Sequence, residues 1–127
     1  MSDRLLETFL DLLRLDSPSG AEGPVRDYLR ARLEAAGLAT RTDAAGNLLA
    51  DLPALSSGQG SPHGHKLLLS AHMDVVPPCL GVTPVIEGEG ADRVVRSDGT
   101  TVLGADDKAA LAAILCTMED ALAHGLP

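Results

Sequence analysis

Residues Lys66 to Ala71, with Leu67, Leu68 and Leu69 in succession, form a short run with almost no polar alternation. A half-solvated strand alternates apolar and polar side chains, so this run suits a strand covered on both faces. Such a strand needs packed helices on each side of its sheet, which points to an α/β fold with a mixed, largely parallel sheet flanked by helices. The run ends on His72-Met73-Asp74. Side chains two apart on an extended segment point the same way, so imidazole and carboxylate can converge beyond the strand end.

The segments around this run supply the helices. Leu5, Leu6, Phe9, Leu12 and Leu13 fall at helical spacing over residues 3–16, with Ser2 as the expected N-cap. Asp16-Ser17-Pro18-Ser19-Gly20 interrupts that helix, and Ser19 with Glu22 has the spacing of a capping box for the next one. The second helix buries Val25, Tyr28, Leu29 and Leu33 and exits at Gly37. The period then changes, and Asn47 to Leu52 reads as a strand entered through the turn Asp43-Ala44-Ala45-Gly46 and ended by Pro53.

Ser56 to His65 is a polar connection rich in turn formers, in which His63 and His65 read as solvated. Beyond Asp74, several prolines break up Val82, Val85 and Ile86. Arg93 to Arg96 and Thr101 to Leu103 flank Ser97-Asp98-Gly99-Thr100, where Asp-Gly signals a hairpin. Leu111, Ile114, Leu115, Met118 and Leu122 mark a last helix from about Asp106 to His124, with Gly125 at its exit. Neither an internal repeat nor a linker interrupts this order, so it describes one domain or one piece of a domain.

Composition excludes several functions. Phe9 and Tyr28 are the only aromatic residues and tryptophan is absent, so the core is aliphatic and a base-stacking surface is missing. A net charge of −8 disfavours nucleic-acid backbones and anionic membranes, both of which need clustered Lys and Arg. Cys79 and Cys116 lack zinc-finger or redox-pair spacing, and a disulfide between them stays open. Acids mixed into the N-terminal apolar run do not resemble a secretory signal, and no apolar stretch is long enough to span a membrane, so a cytoplasmic location is expected.

The chemistry gathers at two acidic corners. A metal-bound imidazole usually donates its second ring N–H to a carboxylate, which makes His72 a candidate ligand and Asp74 its orienting partner. A loop-entrance histidine beside a turn-capping aspartate is the structural alternative. Asp106 stands where a carboxylate favours a helix start, so capping is its alternative role. Asp106 and Asp107 are adjacent, however, and neighbouring carboxylates repel unless a cation or buried partner offsets them. A carboxylate shared by two metals about 3.5–4 Å apart is the clamp of two-metal hydrolases. Glu119-Asp120 reads as a solvated helix face and His124 as a complement to the helix dipole.

Ser70-Ala71-His72-Met73-Asp74-Val75-Val76-Pro77, Ser97-Asp98-Gly99-Thr100-Thr101-Val102-Leu103-Gly104 and Ala105-Asp106-Asp107-Lys108-Ala109-Ala110 together resemble the co-catalytic zinc peptidases of the tripeptidase (peptidase T) type. That group is related to carboxypeptidase G and to the acetylornithine and succinyl-diaminopimelate deacylases. Pro18-Ser19-Gly20-Ala21-Glu22 and Gly46-Asn47-Leu48 extend the likeness over nearly the whole chain. The resemblance implies that His72 binds one zinc, that Asp106 bridges two, that Asp74 supports His72 within the catalytic machinery, and that the Asp106–Asp107 peptide is cis. It also implies hydrolysis of short peptides by metal-activated water with a glutamate as general base.

The Glu-Glu pair, the further acidic ligand and the late histidine of that family have no counterpart in the 127 residues. The expectation is therefore an incomplete three-layer zinc-peptidase catalytic domain, residues 1–127 being its N-terminal part without the later catalytic strands or the lid and dimerisation domain. Such a part is expected to be inactive alone, and to self-associate or to be completed by the missing C-terminal part. Two alternatives remain: a related shell-forming dizinc aminopeptidase, and a non-catalytic binding or assembly module.

Overall fold

The structure is a computed structural model and describes residues 3–53 and 67–124. The expected cap Ser2, the connection containing His63 and His65, Lys66 and Gly125 lie outside the described residues.

Helix α1, Asp3–Arg14, buries Leu6, Leu12 and Leu13 along the stripe expected from the sequence. Helix α2, Gly23–Ala35, buries Val25, Leu29 and Leu33. Its exit is a Schellman motif, with Leu38 N–H donating to the Leu33 carbonyl and Gly37 N–H to that of Glu34, while Gly37 takes a φ of +94°. Its entrance corrects the expected capping box. Glu22 occupies the N-cap without a side-chain cap bond, its Oε1 accepts from Gly20 N–H at 2.6 Å, and the Ser19 hydroxyl turns away to Asp74.

Strand β1, Thr40–Thr42, pairs antiparallel with β2, Leu48–Ala50, so the expected strand is shorter than Asn47 to Leu52 and gains an upstream partner. Asp43 holds the intervening turn, its Oδ1 accepting from Ala45 N–H and Asn47 N–H at 3.0 and 2.9 Å.

The second hairpin differs from expectation. Strand β4, Val94–Ser97, pairs with β3, Pro84–Glu87, rather than with Thr101 to Leu103. Asp98-Gly99 still turns the chain, with Thr100 N–H on Asp98 Oδ1, but Val102 N–H then donates to the Pro78 carbonyl at 2.9 Å. Pro84 tolerates a strand end, so proline in this stretch did not rule out pairing.

Helix α3, Ala105–His124, packs along α1 and against α2. Leu12, Val25, Leu29, Leu33, Leu38, Leu111, Ala112 and Leu115 form one aliphatic cluster, and Ala71 and Met73 pack on its margin. Glu119 is not a solvated residue: its side chain is 14% exposed and accepts from Arg32 Nε and Nη2, both at 2.9 Å, joining α2 to α3. The planar guanidinium fork matches a carboxylate, which sequence spacing alone did not reveal. Cys79 and Cys116 are both buried free thiols.

The chain is thus α/β, but its sheets among the described residues are two antiparallel pairs. Residues 67–71 form no strand there, and Leu67 and Leu68 are 84% and 88% exposed. A ladder needs a pairing neighbour, and residues 67–71 pair with none of the described strands. The parallel contact that does form is the bridge Pro18↔Val75.

Gly104 approaches Val75 so closely that an added Cβ would lie 3.1 Å from Val75 Cγ2, and its φ is +80°. Gly99 has a φ of +97° but faces open space. Gly99→Ala is therefore expected to lose roughly 1–2 kcal/mol from backbone strain, and Gly104→Ala roughly 1–3 kcal/mol more from overpacking. Urea unfolding of the two variants side by side measures the difference, and equal losses would show that Val75 yields freely.

Candidate metal centre

The site is assembled by the segment between α1 and α2. Val75 N–H donates to the Ser17 carbonyl at 2.9 Å, and the Pro18↔Val75 bridge lies beside it. His72 and Asp74 are thereby held next to residues 17–19. From the other direction Lys108, the first residue of α3 beyond the irregular Asp106 and Asp107, buries its side chain and donates from Nζ to the Leu15 carbonyl at 2.6 Å. Burial pushes the Lys108 ammonium below the ordinary lysine range, opposed by the charge of Asp16.

His72 stands between the two acidic corners. Its Nδ1 is 3.1 Å from Asp74 Oδ1 and 3.0 Å from the Asp74 carbonyl oxygen, whereas Nε2 is 3.0 Å from Asp106 Oδ1. The Asp106 carboxylate in particular raises the imidazole above its ordinary titration range, against a smaller effect of burial, and Asp74 adds to the rise. Asp74 is pushed below the usual carboxylate range, first by the Ser19 hydroxyl, which donates to Oδ2 at 2.5 Å, and then by His72.

Asp106 lies ahead of the regular part of α3. Its backbone is non-helical (φ −89°, ψ 99°), the Asp106–Asp107 peptide is cis, and its side chain, 95% exposed, meets His72 through Oδ1. His72, Asp106 and Asp107 each offer a ligand atom, and these atoms lie within 4.8 Å of one another. Zinc bonds of 2.0–2.1 Å in a tetrahedron set ligand atoms about 3.3 Å apart, near the observed 3.0 Å between Nε2 and Oδ1. An imidazole with Nδ1 engaged and Nε2 directed at a carboxylate has the donor arrangement of a divalent-metal ligand.

The structure thus brings together His72, Asp74 and Asp106 and adds Asp107, which the sequence reading treated only as a neighbouring charge. Ser19 was also missed as a contributor, because its spacing to Glu22 matched a cap. Glu119 is occupied by Arg32, and His124 Nδ1 lies 2.9 Å from the Asp120 carbonyl within α3, so neither belongs to the site.

A histidine on an extended segment and an acidic pair at a helix start together define a candidate metal centre, and relatives place the chain more narrowly. No protein-family model matches it. It is 36% identical over 134 residues to the uncharacterized protein YqjE of Bacillus subtilis, covering 96% of this chain and 33% of that protein. Peptidase T of Escherichia coli K12 is 29% identical, covering 91% of this chain and 37% of the relative. Among solved structures, a Staphylococcus aureus tripeptidase superposes with a TM-score of 0.82 at 36% identity, over 98% of this chain and 33% of that one. Aminopeptidase PepT of Bacillus cereus gives 0.78 at 29% identity, again over 98% and 33%. The chain therefore shares sequence and fold with tripeptidase-type aminopeptidases, and spans about a third of the length of these relatives. No described helix is long and apolar enough to cross a membrane.

Because Asp106 raises the His72 titration, the ring stays protonated to higher pH than a free imidazole. The corresponding stabilisation is present below the ordinary imidazole value and fades as pH rises through the raised one. Asp106→Asn removes the charge, so the His72 midpoint is expected to fall toward the ordinary value. NMR titration of the ring protons checks this, and an unchanged midpoint would contradict the contact.

Proposed function

We propose that this chain forms one corner of a metal-dependent aminopeptidase that hydrolyses short peptides of the tripeptide class, with two zinc ions in the complete site. The observation that carries the reading is the orientation of His72, with Asp74 on Nδ1 and Asp106 opposite Nε2. In it His72 and Asp106 would hold the metal, with Asp106 as the carboxylate offered to both ions, and Asp74 would fix the imidazole. Bound zinc would supply Lewis acidity toward a peptide carbonyl and a low-pKa water. The chain's own residues hold the ligands and keep the His72 ring turned toward Asp106. A general base and the remaining ligands come from further polypeptide, which agrees with relatives about three times as long.

The exposure of Leu67 and Leu68 supports the same reading, because an apolar extended run without a ladder partner favours pairing with an added strand. In isolation the chain is expected to self-associate through this run and to leave tripeptides uncleaved. Light scattering that shows a monodisperse monomer would remove the first expectation, and zinc-dependent turnover by the 127 residues would remove the second.

A chimera tests the activity itself. This chain is substituted for the matching third of the Staphylococcus aureus tripeptidase and assayed with Ala- and Gly-containing tripeptides. Zinc-dependent hydrolysis is expected, abolished by His72→Ala and accompanied by about 10–100-fold weaker zinc binding in Asp74→Ala. A folded chimera that binds zinc without hydrolysing peptides would overturn the proposed activity.

A further inference from the structure

Ser19 lies far from His72 in sequence and has no metal-binding chemistry of its own, yet its Oγ donates to Asp74 Oδ2 at 2.5 Å. The other oxygen of that carboxylate, Oδ1, faces His72 Nδ1 at 3.1 Å. We propose that Ser19 is a positioning residue for the metal centre, acting through Asp74 to keep its carboxylate on the His72 ring. The inference rests on the metal reading above and extends it to a third layer, Ser19 to Asp74 to His72.

Three observations carry it. First, the terminal torsion of an aspartate is broad and roughly two-fold, so one weak contact at Oδ1 leaves the carboxylate free to turn, and a second bond at Oδ2 removes that freedom. Second, among the described residues the hydroxyl is not drawn into the helix cap that its spacing suggested. The expected cap of α2 is not made by Ser19, and the Gly20 turn is closed by Glu22 Oε1. Third, Ser19 is delivered to Asp74 by neighbouring backbone: Ser17 accepts from Val75 N–H and Pro18 bridges to Val75.

The Asp74 carbonyl oxygen also faces Nδ1, at 3.0 Å, so the backbone alone retains the ring approximately. The carboxylate adds negative charge, which strengthens the imidazole as a ligand, and Ser19 holds that charge in place.

The test compares Ser19→Ala and Ser19→Thr with the unaltered sequence, each carried in the tripeptidase chimera described above. Zinc alone is titrated in competition with a chromogenic chelator, and thermal unfolding is followed in parallel. Ser19→Ala is expected to weaken zinc binding about tenfold, the lower end of the range for residues that orient a ligand. Ser19→Thr, which keeps the hydroxyl at an exposed position, is expected to restore it, with the unfolding midpoint unchanged in both. Unaltered affinity in Ser19→Ala, no rescue by threonine, or a loss that tracks the unfolding midpoint would each overturn the proposal.

A metal-free readout separates this from failure of the metal reading. The nitrogen-15 resonance of His72 Nδ1, observed through the carbon-bound ring protons above the ring's titration, is expected to move in Ser19→Ala and return in Ser19→Thr. If the chimera with the unaltered sequence and its His72→Ala variant bind zinc alike, the metal reading fails. In that event a moved and rescued Nδ1 resonance supports the role of Ser19 in orienting Asp74, and an unmoved one overturns it.

Discussion

The structure depends on residues 15–17 acting as a common acceptor for segments distant in sequence. The Leu15 carbonyl takes the buried Lys108 ammonium, the Ser17 carbonyl takes Val75 N–H, and Asp16 Oδ1 takes Gly81 N–H at 2.8 Å. The first two satisfy polar groups of the buried residues Lys108 and Val75, and all three draw different parts of the chain to one place. Met73 and Ala71 add apolar packing at the same margin of the core. A loop that reads as a simple break between helices is therefore the frame on which the His72 and Asp106 corners meet.

That frame brings several carboxylates close together in a chain already at −8. Asp74, Asp106 and Asp107 gather around a single imidazole, and Lys108, the next residue along the chain, donates to the Leu15 carbonyl. Unscreened carboxylates raise the affinity of the spot for any cation, first for a proton on His72 and, in the proposed function, for a divalent metal. Elsewhere some acids pair with arginines, as Glu119 does with Arg32 and Glu87 with Arg96.

Much of this was legible beforehand. The helical stripes Leu6, Leu12, Leu13 and Val25, Leu29, Leu33 announced both packing faces, because periodicity follows directly from the geometry of a helix. His72, Asp74 and Asp106 were legible as candidates from residue type and spacing. Strand pairing was less so: Val94–Ser97 chose Pro84–Glu87 upstream over the segment beyond Asp98-Gly99, since register is decided by which backbone is free to pair. Glu119 read as solvated because its partner Arg32 lies on another helix.

By itself, the sequence determined the helices, the aliphatic character of the core and which residues stand as candidate donors, all of which depend on local pattern and side-chain chemistry. Only the tertiary structure decided that Ser19 serves Asp74 instead of capping α2, that Gly104 admits the Asp106 corner against Val75, and that Asp107 joins the donor group. These are contacts between segments far apart in the chain. Their geometry comes from packing and from the need to pair buried polar groups, and neither leaves a periodic mark in the sequence.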